Sequence, residues 1–137
     1  MIDLVDVPPG LDLDHYASYA HLAMAVQELR TEAALVAPDL EGRTVWMVNS
    51  TAQGGGVAEM MPRMVSLLRE LGIDVRWATI HPTEPAFFTL TKKLHNLIHG
   101  AGEPAPTEAE RRLYDRVSAE LAEQLAPKLG GDDILVV

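Results

Sequence analysis

The stretch Val45–Glu59 reads V-W-M-V-N-S-T-A-Q-G-G-G-V-A-E. An unbroken apolar run passes into a polar turn, three consecutive glycines follow, and a helical pattern begins. Thr44 to Val48 suits a strand buried on both faces, the kind found inside parallel sheets. Glycines directly after such a strand let the backbone turn sharply and approach a ligand closely. The following helix then aims its free N–H groups and its positive dipole end at the same spot. That combination suits an anion or a sugar.

Outward from this stretch the elements alternate. Met1 to Leu13 is apolar and broken by prolines, so an irregular lead-in is expected. Asp14 is a suitable cap for a helix to about Val36, with Tyr19, Leu22, Val26, Leu29 and Ala33 on one face. Pro38 and Gly42 close that segment, and a first strand is expected from about Arg43 to Asn49. The helix after the glycines runs from about Val57 to Leu71. It buries Met60, Met64, Leu67, Leu68 and Leu71, with Gly72 as its stop. Pro62 inside it predicts a kink or a loosely wound first turn. A second strand covers about Asp74 to Ile80, where Val75, Trp77 and Thr79 alternate with Arg76 and Ala78.

The second half continues the pattern. Thr83 is positioned to cap a helix from about Glu84 to His99, with Phe87, Leu90, Leu94, Leu97 and Ile98 inward. Gly100 to Pro106 reads as a linker. Thr107 with Glu110 three residues later forms a capping box, and the helix it opens runs to about Ala126. Its inner face is Leu113, Val117, Leu121 and Leu125. Pro127 and the Gly130-Gly131 pair end it, and Asp133 to Val137 reads as a third buried strand. The alternation predicts an α/β fold, a Rossmann-like parallel sheet with flanking helices. Residues 1–42 form a lead-in and helix, and 43–137 a partial Rossmann-like domain.

Composition narrows the function. The chain has 137 residues, 47% of them hydrophobic, which is material for one domain with a real core. Cysteine is absent, so neither disulfides nor thiolate metal sites are available, in keeping with a cytoplasmic location. No signal peptide or membrane-length apolar run appears, so no membrane association is expected. A net charge of -9 without a basic stripe argues against nucleic acid as a partner.

The glycine loop is neither a Walker A, since no Gly-Lys-Ser/Thr follows, nor a dinucleotide fingerprint, since Met60 and Met61 follow Glu59. Gly54, Gly55 and Gly56 exceed what a tight turn needs. Asn49, Ser50 and Thr51 either cap the next helix or line the ligand site, and the two roles are compatible. Gln53 either reaches a ligand hydroxyl or is simply solvated. Glu59 serves the helix dipole or contacts a sugar. In H-N-L-I-H, His95 and His99 have the i, i+4 spacing of a metal pair. Asn96 stands where the zinc-protease pattern needs Glu, and with no third ligand evident no metal is expected. Phe87 and Phe88 read as core.

Several stretches resemble one family. V-N-S-T-A-Q-G-G-G-V-A-E-M (Val48 to Met60) is similar to the N-terminal signature of trehalose synthases of the glycosyltransferring type. These are retaining, nucleotide-sugar-dependent enzymes with two facing Rossmann domains, the GT-B architecture. L-R-E-L-G-I-D-V-R-W (Leu68 to Trp77), F-F-T-L-T-K-K-L-H-N (Phe87 to Asn96) and D-D-I-L-V-V (Asp132 to Val137) resemble the same family. Members continue the last strand into a His-Asp-Pro turn, so the chain reads as the N-terminal part of a longer GT-B enzyme. The plainer alternative is a small domain that ends in a strand.

The resemblance implies transfer of glucose from NDP-glucose, the co-substrate, onto glucose as acceptor to form trehalose. No resident cofactor is implied. The implied substrate-binding set is Asn49, Ser50, Gln53, Gly54, Gly55, Gly56 and Glu59 in the loop, with Lys92, His95 and Asn96 on the later helix, which read alternatively as a partly exposed helix face. No catalytic residue is assigned, and the missing C-terminal Rossmann domain is the implied partner. Alone, such a half is expected to be inactive and, through its open sheet edge, prone to form a homodimer. The alternative function is a stand-alone sugar- or phosphate-binding α/β module without catalysis.

Overall fold

A computed structural model of the chain describes residues 1–102 and 105–137. Two compact units are present. One comprises Asp3–Thr79 with Leu129–Val137, and the other Ile80–Lys128 with Met1–Ile2.

The first unit is built on a sheet of four strands: β1 (Ile2–Val5), β2 (Val45–Asn49), β3 (Val75–Ile80) and β4 (Ile134–Val136), in the order β1-β3-β2-β4. The β2–β3 pair is parallel with Val45 opposite Val75 and Asn49 opposite Thr79. The β2–β4 pair is parallel with Val45 opposite Ile134. Met1 and His81, just beyond β1 and β3, exchange both backbone bonds at 2.7 Å, the signature of an antiparallel pair. The α/β class holds, but the sheet is mixed and mostly parallel, and β1 replaces the irregular lead-in expected at Met1–Leu13. Four residues ahead of a proline pair carry too little alternation to announce a strand, and the partner that stabilises this one lies about eighty residues away.

Val45, Val75 and Trp77 form the sheet's contribution to a core that Val7 and the α3 residues Met61 and Val65 complete. Helix α3 (Gly56–Glu70) is continuous through Pro62, whose missing N–H leaves the Ala58 carbonyl without its intrahelical donor. Its buried row is Ala58, Met61 and Val65, with Leu68 and Met64 packed beside it. The expected inner face is therefore rotated. Met60 is 53% exposed, and with Met64, Leu67 and Leu71 it lines an open apolar groove of about 630 Å³ with Tyr16 and Leu29. The helix carries two apolar stripes, and periodicity alone does not say which meets the sheet.

The first helix is split as well. Asp12, not Asp14, caps α1 (Leu13–Ala17) through His15 N at 2.7 Å, and α2 starts again at Ala23 and runs to Val36. Ser18 Oγ donates to the His15 carbonyl at 2.6 Å, the side-chain competition that ends helices. Tyr19 and Leu22 consequently fall in the break instead of on a helix face. Strand β4 is an edge strand, not a buried one, and Leu135 and Val136 are each 44% exposed.

The second unit holds α4 (Pro85–Ile98) and α5 (Glu108–Leu125). Glu84 is the N-cap of α4, Pro85 follows at the first helical position, and Thr83 makes no cap bond. Phe87 and Leu90 are buried and Phe87 stacks on Tyr114, with centroids 5.8 Å apart. Ile98 is exposed, against expectation, and so is Phe88. The capping box of α5 is present, and Val117 and Leu125 are buried as expected. Of the linker expected at Gly100–Pro106, Glu103 and Pro104 lie outside the described residues.

Candidate functional site: the glycine loop between β2 and α3

Strand β2 delivers Asn49 to the C-terminal end of the sheet, where ligands of open α/β sheets bind. The loop that follows is organised by a chain of hydrogen bonds. Trp77 Nε1 donates to Asn49 Oδ1 at 2.8 Å, and Asn49 Nδ2 donates to the Thr51 carbonyl at 2.8 Å. Thr51 Oγ1 donates to the Gln53 carbonyl at 2.7 Å and accepts from Gln53 N at 3.0 Å. Asn49 and Thr51 thus stabilise the loop itself. Neither caps α3, whose N-cap is Gly55 with no side-chain bond.

The three glycines differ in what they answer to. Gly54 has φ +74 and Gly55 φ +85, with ψ 155 at Gly55, a conformation that side-chain-bearing residues avoid. Gly56 has ordinary helical backbone, and a Cβ built on it meets nothing within 4 Å. Neither backbone nor packing within the chain requires glycine there. The N-cap has no acceptor side chain, so the first N–H groups of α3 receive no side-chain cap at this helix start. Ser50, Gln53 and Glu59 are exposed around it, and Gly56 and Glu59 also line one end of the apolar groove.

Lys92, His95 and Asn96 lie on α4, all exposed, at the i, i+3, i+4 spacing that puts them on one helix face. The His95 and His99 rings are 4.4 Å apart, centroid to centroid. Among the described residues no group of three or more His, Cys, Asp or Glu is arranged to hold a metal ion. Lys93, one position on, bonds both oxygens of Glu110 at 2.8 and 2.9 Å.

Two supports escaped the reading of the sequence. Asp133 accepts from Gly130 N (2.7 Å), Thr44 N and Trp46 Nε1 (both 2.9 Å), tying β4 to β2, and the backbone donors hold its carboxyl below the usual range. Trp77 holds Asn49. A buried tryptophan needs a partner for its N–H, and that is the signal both share. No helix among the described residues is long and apolar enough to cross a membrane.

Residues 47–137 match the family described as trehalose synthase, N-terminal domain. The chain is 35% identical over 131 residues to the trehalose synthase of Rubrobacter xylanophilus, covering 96% of this chain and 30% of that protein. It is 46% identical over 85 residues to the trehalose synthase of Pyrococcus horikoshii, covering 61% of this chain and 20% of that one. A trehalose phosphorylase of Pleurotus pulmonarius is 41% identical over 56 residues, covering 41% of this chain and 7% of its own length. The chain therefore spans less than a third of the length of these relatives.

Proposed function

This chain belongs to the trehalose synthase family through its N-terminal domain, and from that premise we propose that it forms the acceptor-side half of a retaining glycosyltransferase. In this reading the complete enzyme moves glucose from NDP-glucose to glucose and forms trehalose. A C-terminal Rossmann domain supplies the opposite wall of the cleft, and the chain by itself is inactive. The observation that carries the reading is the uncapped start of α3, with glycine at Gly56 where the fold does not ask for it.

The chemistry follows from that geometry. As the glycosidic bond to the donor breaks, negative charge gathers on the leaving diphosphate. Backbone N–H groups already fixed at a helix N-terminus stabilise that charge without reorganising. Ser50, Gln53 and Glu59 supply hydroxyl, amide and carboxylate groups around the same opening for sugar hydroxyls. The family resemblance alone assigns Lys92, His95 and Asn96 to the acceptor. A second reading, a binding module without catalysis, draws on the same open helix start, which holds an anion whether or not a second domain faces it.

Titration of the chain with UDP-glucose or ADP-glucose, followed through backbone amide NMR shifts, tests the site. The largest shifts are expected at Gly54 to Ala58, and a response confined to other residues overturns the assignment. Reading the coding sequence past residue 137 separates the two functions. A continuation into a second Rossmann half is expected. In the product of that longer frame, Gly55→Val should lower trehalose formation by about 100-fold or more. A stop codon at that point leaves binding alone.

A further inference from the structure

We infer that Trp77 is a positioning residue for the glycine loop, acting through the Asn49 side chain; the inference rests on the reading of that loop as a ligand site. Trp77 is 2% exposed, and its ring belongs to the core that contains Met61 and Val65 of α3. Its N–H reaches the last residue of β2. One side chain therefore bonds the element before the loop and shares a core with the element after it.

The chain of bonds has a direction. Trp77 fixes the Asn49 amide, with its oxygen towards the indole and its nitrogen towards Thr51. Thr51 then closes on Gln53, and the next residue is Gly54. Beyond Gln53 the loop has no side chains of its own with which to hold itself, because Gly54, Gly55 and Gly56 have none. Glycine relaxes more readily than any other residue into alternative conformations. The positive φ values of Gly54 and Gly55 therefore depend on the segment before them being held, and the orientation of the first α3 N–H groups depends on those values. Removing the indole N–H leaves the Asn49 oxygen without this donor and frees the amide to rotate. The loop loses its fixed start while the sheet keeps its register.

The molecule carries its own control. Trp46 is 1% exposed, and its N–H also bonds a side-chain oxygen, that of Asp133 at 2.9 Å, but at the β4 side of the sheet and not at the loop. Replacement by phenylalanine removes one indole N–H bond at each site and preserves most of the ring.

The test compares Trp77→Phe with Trp46→Phe in amide NMR spectra and in affinity for UDP-glucose, with thermal unfolding measured alongside. Both variants are expected to lose stability. Only Trp77→Phe should move the Gly54, Gly55 and Gly56 amide resonances in the free protein and weaken binding, by about tenfold. Equal effects of the two variants on those amides and on affinity would overturn the inference. If the unsubstituted chain binds no nucleotide sugar, the reading of the loop as a site fails. The spectra of the free proteins then decide whether Trp77 sets the loop's conformation, and loop amides unmoved in Trp77→Phe refute it. If Trp77→Phe does not fold, Asn49→Leu, which removes the same link from its other, half-buried end, takes its place in the comparison.

Discussion

At the start of α5, Thr107 Oγ1 accepts from Glu110 N and the Glu110 carboxylate accepts from Thr107 N, while at the start of α3 Gly55 offers no side chain at all. The first arrangement satisfies its own donors and adds a cation, Lys93, to the same carboxylate. The second gives its donors no side-chain acceptor. Glycine at an N-cap gives up about a few tenths of a kcal/mol relative to serine or asparagine, so the open start is inexpensive in stability. The contrast separates a helix start that holds the fold together from one that keeps its electrostatics available to a ligand.

Gly56→Ala probes that contrast most directly. Alanine fits the helical backbone and meets no neighbour, so stability should rise by about 0.4–1 kcal/mol. The added methyl tilts toward the helix N-terminus, where a ligand held by the α3 N–H groups would sit, and affinity for nucleotide sugar should fall about tenfold. Thermal unfolding and titration of one sample read both quantities. Binding that survives unchanged would mean that the open start is not where the ligand sits.

Thr107→Ala should do the reverse. Loss of that cap costs about 1 kcal/mol in denaturant unfolding and leaves affinity as it was. A drop in affinity comparable to that of Gly56→Ala would erase the distinction between the two helix starts.

The smallest effect is a pH dependence. The Lys93 ammonium, then the backbone N–H and hydroxyl of Thr107, hold the Glu110 carboxyl down at about 2, against an ordinary value of 4.5. Because the folded value lies below the unfolded one, the stabilisation is complete above the unfolded value and disappears as pH falls from 4.5 to about 2. The Tm difference between the protein and Glu110→Gln should narrow through that window. A constant difference would show that the capping carboxylate carries no charge-dependent share of the stability.

Parts of this architecture were legible from local pattern. The β2 run, the glycine stop and the α5 capping box are written in neighbouring residues, because strand burial, left-handed turns and caps are short-range phenomena. The face of α3 was not legible, since Met60 and Met61 begin two apolar stripes and only the position of the sheet chooses between them. Ile98 was misplaced for a related reason: it continues the apolar period of α4 past the last residues that find cover. In the candidate site, the three glycines stood out at once. The bonds that hold Asn49 did not, because Trp77 lies 28 residues away along the chain.

An apolar strand that meets three glycines and a helix is legible in Val45–Glu59 alone, and so is the gathering of backbone donors at one point; chain chemistry over fifteen residues suffices for that. That Gly55 and no side chain caps this helix, that Gly56 answers to no need of the fold, and that Trp77 bonds Asn49 emerge only once the chain is folded. Those facts depend on which strands become neighbours. Sheet order is set by the burial of whole faces and the pairing of distant backbones, which no local stretch records.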